Sequence, residues 1–373
     1  MQRVISLGGL LALVTLHTPG QSVHRIVSDE EVMRVHRSAL LIDTHNDIPT
    51  EEKGVDRAAG STFDLAVRNE RTHTDLPRLK EGGVGAVFFV AYVAGKYVSG
   101  DQGSTRANEV IDTILSDIVK RYPADFALAT SSGQIESIHK KGKIAALIGI
   151  EGGHAIQDNL ELLRAFYNRG VRYMTLTHTN SNGWADSSGD LSDSTVVHHN
   201  GLTTFGKAVV REMNTLGMMV DISHVSDKTF YDALEVSRAP IIASHSACRA
   251  LADVPRNMTD QMIMELAKKG GVVQVNFYCN FLTSKRPPRV TIDDVVAHID
   301  HIRQIAGIGV IGIGSDFDGI DCSPEGLEDV SKFPNLTRKL LERGYTADDI
   351  RRIYGGNLLR VMRTVEKIAA STK

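Results

Sequence analysis

Residues 40–49 read LLIDTHNDIP: three apolar residues, then Asp43, His45 and Asp47 at alternate positions. Alternate residues of a strand project to the same side. A buried strand here therefore runs straight into a row of titratable groups. The same grammar recurs along the chain: GAVFFVAYV (85–93), KIAALIGI (143–150), VRYMTLTHT (171–179), MMVDISHV (218–225), PIIASH (240–245), GVVQVNFY (271–278) and VIGIGSDF (310–317). With the opening strand these make eight. Near-continuous apolar runs, without strict alternation, mark a parallel sheet covered on both faces. The segments between them, 106–121 and 158–169 among others, carry helical spacing. Asp227, Thr259 and Thr291 stand where N-caps belong, and Gly170, Gly217 and Gly270 where helices end. Eight strands alternating with helices predict a (β/α)8 TIM-like barrel, not an open sheet. Residues 335–368 add two or three helices packed outside it.

The 373 residues carry a net charge of −3 and contain no long charge run. That balance excludes a nucleic-acid surface and argues against a polyanionic substrate. Arg3, an apolar run over 4–16 and the exit Thr18-Pro19-Gly20 form the pattern of a secretory signal peptide. The run is short for a membrane span. The expected organisation is a signal segment over 1–22 and one catalytic domain over 23–373, exported and soluble, with no stable membrane insertion. Cys248, Cys279 and Cys322 are the only cysteines and include no Cys-x-x-Cys pair, against a thiolate zinc site. An exported protein could form one bridge and keep one thiol. Cys248 and Cys279, which follow adjacent strands, are the pair considered, although the geometry a bridge demands weighs against them.

In such barrels the chemistry sits at the C-terminal ends of the strands. Read in order, those ends deliver His45, Asn46 and Asp47; Glu151; His178; His224; His245; Asn276 and Tyr278; and Asp316 with Asp318 behind it. Each alone has a bland reading as a structural histidine, a turn former or packing. Together they do not, because buried imidazoles and carboxylates are costly unless paired or metal-bound. An N/O donor set of this kind suits zinc. His45 and Asp47 are placed to hold one ion, His224 and His245 a second, and Glu151 to bridge them. Two such ions would share a hydroxide formed near neutral pH. The remaining conspicuous residues read ambiguously: His154 as a support for Glu151 or a turn residue, and Trp184 to Asp186 as site lining or packing. His198 and His199 read as solvated, and His73 as structural beside Asp75, the cap of a short helix begun by Pro77.

Longer stretches resemble the membrane (renal) dipeptidase family, zinc dipeptidases of the amidohydrolase-like barrels. They are LIDTHNDIP, RTHTDLPRLKEGGVGAVFF, GIEGGHAI, YMTLTHTNSNGWADS, GLTTFGKAVVREMN, VDISHVSD, IIASHSACRAL, PRNMTDQMI, VNFYCNF, IGSDFDGI and PEGLEDVSKFPNL. They span nearly all of the chain after the signal segment, in family order. The resemblance implies two Zn2+ per chain, bridged by Glu151 and a hydroxide, with His45 and Asp47 on one ion and His224 and His245 on the other. It also implies that His178, Arg256 and Tyr278 contact a dipeptide substrate, that Asp316 handles the proton, and that the chain forms a homodimer. Only Arg256 is invisible without it. The lipid anchor of animal members is not carried over, because residues 363–373 (RTVEKIAASTK) form no hydrophobic tail. Asn180 replaces a disulfide cysteine of those enzymes. The stretches 51–64 and 94–103 match loosely, so substrate preference stays open. The expected reaction is hydrolysis of a dipeptide with a free C-terminal carboxylate. Its rivals are an N-acyl-amino-acid deacylase or lactam hydrolase using the same metals, and a zinc-binding protein without catalysis.

Overall fold

A computed structural model describes residues 25–50, 64–98, 102–283 and 289–372. The signal segment expected over 1–22 lies outside them, as does most of the stretch 51–64. The strands are β1 (Leu41–Asn46), β2 (Val84–Tyr92), β3 (Phe126–Leu128), β4 (Ile144–Glu151), β5 (Val171–Thr175), β6 (Met219–Asp221), β7 (Ile242–Ser246), β8 (Val272–Val275) and β9 (Ile311–Ile313). All pair in parallel, in the order β1-β2-β4-β5-β6-β7-β8-β9. β9 returns to β1 through a parallel bridge, Asn46 to Phe317, so the eight-stranded barrel closes at that seam. The ninth strand, β3, is absent from the sequence reading. It pairs only with Ile144 to Ala146 of β4, below the point where β5 takes over the same edge.

Alternate residues of the strands fall into two buried sets. Val87, Phe89, Ala146 and Ile148 join the cluster beneath the outer helices. Ile42, Ala86, Phe88, Leu147, Tyr173 and Met219 form a second cluster with Leu358, Val361, Met362 and Val365 of the helix Asn357–Ala370. That helix therefore seals one end of the barrel interior, a closer engagement than helices packed outside. Thr259 and Thr291 cap helices as expected. At the helix Asp227–Val236 the cap is Ser226, not Asp227. Ser226 has the extended backbone a cap requires and its hydroxyl accepts from Thr229 N–H, while the Asp227 carboxylate pairs with Arg249 at 2.7 Å. Gly217, at φ +87°, ends the helix Thr204–Leu216 in the left-handed region that glycine enters without strain.

One disulfide is present, and its pairing was not anticipated: Cys279 joins Cys322, with Cα atoms 5.6 Å apart. Cys248 is a buried free thiol turned toward the helix Ile292–Ala306, where its N–H donates to His298 Nδ1 at 3.0 Å. Among the described residues no helix is long and apolar enough to cross a membrane.

Candidate metal centre

The strands end sooner than the apolar runs suggest. β5 stops at Thr175, β6 at Asp221, β8 at Val275 and β9 at Ile313. His178, His224, Tyr278 and Asp316 thus sit in the turns that follow. Short polar side chains make these turns by accepting the backbone N–H two residues on, a common turn device. Asn46 takes Ile48, Asp221 takes Ser223, Asn276 takes Tyr278, and Ser315 takes Phe317, at 2.5–3.2 Å. His224 (φ +68°) and Asp316 (φ +64°) are left-handed, a conformation that costs a non-glycine residue about 1–3 kcal/mol. Neighbours hold both in place. Ser188 N–H donates to the His224 carbonyl at 2.8 Å, and Asn276 donates to the Asp316 carboxylate at 2.8 Å.

These turns bring the predicted donors together. Glu151 Oε1 lies 2.9 Å from His224 Nε2, 3.2 Å from His245 Nε2 and 3.6 Å from His45 Nε2. His45 Nε2 is 3.4 Å from Asp47 and 4.0 Å from Asp316. Glu151 therefore stands between the pair His45–Asp47 and the pair His224–His245. His178 Nε2 is 4.0 Å from the other Glu151 oxygen, close enough to be a ligand as well as a substrate contact. All but His178 are buried.

The charges favour a bound cation. Burial alone would raise Glu151, but His45, His178 and His224 outweigh it and hold that carboxyl well below its usual range. Burial, the positive charge of Arg256 and neighbouring histidines keep His224 and His245 well below the ordinary imidazole value, so both are neutral and keep a lone pair free for a cation. Burial also opposes protonation of His45, yet the flanking Glu151 and Asp47 carboxylates raise it well above normal. Two carboxylates thus draw positive charge to His45 Nε2, a buried atom with no hydrogen-bond partner among the described residues. His224 Nε2 and His245 Nε2 face each other at 2.9 Å around the same Glu151 oxygen. A divalent cation between such donors satisfies both the lone pairs and the carboxylates. Burial pushes Asp316 up to about 7, with Asp47 and Glu151 adding to the rise and His45 opposing it.

Supporting residues that the sequence reading missed fix the rings. Tyr173 donates its one proton to the Thr44 carbonyl at 3.0 Å, so its oxygen, 3.0 Å from His45 Nδ1, accepts the ring N–H. The Nε2 lone pair of His45 then points at the centre. Ser244 donates to Asp221 at 2.6 Å and accepts from His245 Nδ1 at 2.8 Å, orienting the second ring likewise. A side chain on Gly149 would strike the Tyr173 ring at 2.2 Å, so the close packing needs glycine there. The only sequence signal was a tyrosine inside an apolar strand, whose hydroxyl must find a partner when buried.

A cavity of about 720 Å³ opens over the cluster and is lined in part by Asp47, Glu151, His178, Arg256, Tyr278 and Asp316. Tyr92, at the end of β2, also lines it, edge-on to His178 with ring centroids 4.7 Å apart. β2 is the one strand whose polar end the sequence reading passed over. Arg256 donates to the His245 carbonyl at 3.1 Å, while its buried Nε and Nη1 meet no hydrogen-bond partner among the described residues. Trp184 is fully buried in the core, which decides for packing. Asp75 caps the helix Leu76–Glu81, with Arg78 against its carboxylate at 2.6 Å. His154 is buried beside Gly152, and burial lowers it to about 4.

Comparison with known proteins places the chain. A sequence model of the family described as membrane dipeptidase matches residues 29–373. Human dipeptidase 3 is 40% identical over 343 residues, which are 90% of this chain and 67% of that protein. A probable dipeptidase from Pseudomonas aeruginosa shares the fold, with a TM-score of 0.82, 24% identity and coverage of 91% of this chain and 99% of that one. A metallo peptidase from Rhodobacter sphaeroides, solved with a phosphinate mimic of the dipeptide L-Ala-D-Ala, superposes with a TM-score of 0.77 at 25% identity, covering 88% of this chain and 99% of that one.

Proposed function

Because the chain belongs to the membrane dipeptidase family, we propose that it is a zinc-dependent dipeptidase acting on dipeptides with a free C-terminal carboxylate. The observation that carries this reading is the convergence of three imidazole Nε2 atoms on one Glu151 oxygen within 3.6 Å, beside Asp47 and beneath an open cavity. His45 and Asp47 would hold one zinc, His224 and His245 a second, and Glu151 both. Bound there, a pair of divalent cations supplies Lewis acidity and lowers the proton affinity of water.

The remaining steps belong to the chain's own side chains. Asp316, oriented by the Asn276 amide at 2.8 Å, takes the proton of the attacking water and returns it to the leaving amine. His178, on the cavity wall, donates to the carbonyl oxygen as charge develops on it. Arg256 offers the substrate carboxylate N–H groups of its guanidinium that have no partner among the described residues, and Tyr278 closes that side. A guanidinium at this place restricts the enzyme to substrates whose scissile bond lies one residue from a carboxylate. The N-terminal pattern supports export, with a mature chain beginning near residues 21–23; N-terminal sequencing of protein from the native host tests it.

The functional test is a dipeptide panel assayed with and without a chelator, then with zinc restored, alongside metal analysis. Dipeptide turnover that is lost and regained with two zinc ions per chain is expected. Intact turnover with one ion or none refutes the two-metal reading. Cleavage of N-acyl amino acids with no cleavage of free dipeptides makes the chain a deacylase instead.

A further inference from the structure

The loops after β8 and β9 together form one wall of the cavity, with Tyr278 and Phe281 from the first and Gly319, Ile320 and Asp321 from the second. They meet at the disulfide, where Cys279 N–H also donates to the Cys322 carbonyl at 3.3 Å. Neither cysteine lines the cavity. The bridge starts the short helix Cys279–Leu282, whose preceding residue is Tyr278. Within that turn, the Phe281 ring stands edge-on to Tyr278, with centroids 4.9 Å apart. The Arg256 guanidinium lies over the same ring at 5.2 Å. The Phe281 carbonyl accepts from Asn257 at 2.8 Å, which docks the turn against the segment that carries Arg256. Beyond the Phe281 ring, the guanidinium is anchored by its hydrogen bond to the His245 carbonyl.

We propose that the Cys279–Cys322 bridge is a positioning element of the substrate wall: it fixes the Tyr278–Phe281 turn against the loop after β9, and Phe281 in turn holds the Arg256 guanidinium in its carboxylate-binding pose. The proposal rests on the reading of Arg256 given above. The bond contributes nothing to the reacting centre. Asp316, on the same loop as Cys322, is tied independently by Asn276 and by its own N–H to the His45 carbonyl at 3.0 Å. Loss of the bridge therefore loosens binding and leaves the chemical step alone. Interactions felt equally by substrate and transition state move KM and spare kcat.

The test compares the zinc-loaded full chain with its Cys279→Ser/Cys322→Ser variant, using one dipeptide and its C-terminal amide. The variant should keep its zinc and a kcat within about twofold, while KM for the dipeptide rises about tenfold and the preference for acid over amide falls by a similar factor. Phe281→Leu, which retains the bridge, should show the same split, and adding it to the double variant should change little, as coupled positions do. A lowered Tm with KM and acid preference unchanged would make the bridge a scaffold only and overturn the proposal. If the double variant fails to fold, Phe281→Leu decides alone: a raised KM supports the proposal and an unchanged KM overturns it. A native enzyme without dipeptide turnover refutes the functional reading itself and this inference with it. That outcome is distinct from an active native enzyme with unresponsive variants.

Discussion

Replacing Tyr173 with Phe removes one oxygen from the barrel interior and should weaken zinc binding without disabling the loaded enzyme. The hydroxyl spends its proton on the Thr44 carbonyl and accepts the Nδ1–H of His45, both at 3.0 Å. In Tyr173→Phe that N–H is left unpaired at a side chain with no solvent exposure. An unsatisfied buried donor costs about 1–3 kcal/mol. The neutral ring can escape by moving its proton to Nε2, but that removes the lone pair facing the centre. Where the metal-free ring is neutral the cost therefore falls on the metal-bound state, and affinity should drop about 10- to 100-fold, the usual range for a lost partner of a metal-bound imidazole. The ring itself still fills the space between Phe88 and the strand bearing Gly149, so folding should change little. Competition against a chromophoric chelator measures the affinity, and dipeptide kcat at saturating zinc measures the remainder. Affinity within twofold of native would refute the role given to Tyr173. A normal affinity with kcat lost would show that His45 serves the reaction and not the metal.

Asp316→Asn should reduce turnover about 10²- to 10⁴-fold while leaving zinc content nearly unchanged, since Asn cannot take a proton; loss of an ion in metal analysis would make Asp316 a ligand. In Arg256→Ala the dipeptide should lose most of its advantage over its amide, about tens- to thousands-fold in kcat/KM, while the amide changes little. An unaltered preference would remove Arg256 from the site. Zinc affinity should also rise with pH. Burial pushes Asp47 up to about 6 without a metal, so below that pH a cation must displace its proton, and the protonated His45 adds to the competition. Titrations at pH 5.5 and 7 should therefore give the weaker binding at 5.5, and equal affinities would contradict the ligand assignment.

The barrel was legible in the chain because a parallel strand covered on both faces must be apolar almost throughout, and eight such runs stand out against helical spacing. The donor types were legible for a related reason. A His or Asp directly after a buried strand has few neighbours in sequence to satisfy it, so its presence advertises a partner elsewhere. β3 escaped because three residues beside one end of β4 leave no pattern of length. The early ends of β6, β8 and β9 escaped because side-chain hydrogen bonds to backbone, and not loss of hydrophobicity, stop the ladder there. What needed tertiary structure were the contacts between residues remote along the chain. Tyr173 meets His45 across 128 positions, Cys279 finds Cys322 across 43, and Arg256 reaches the cavity from a loop that reads as surface. Sequence periodicity records which face of an element is buried. Which side chain from another element shares that burial is decided only when the barrel closes.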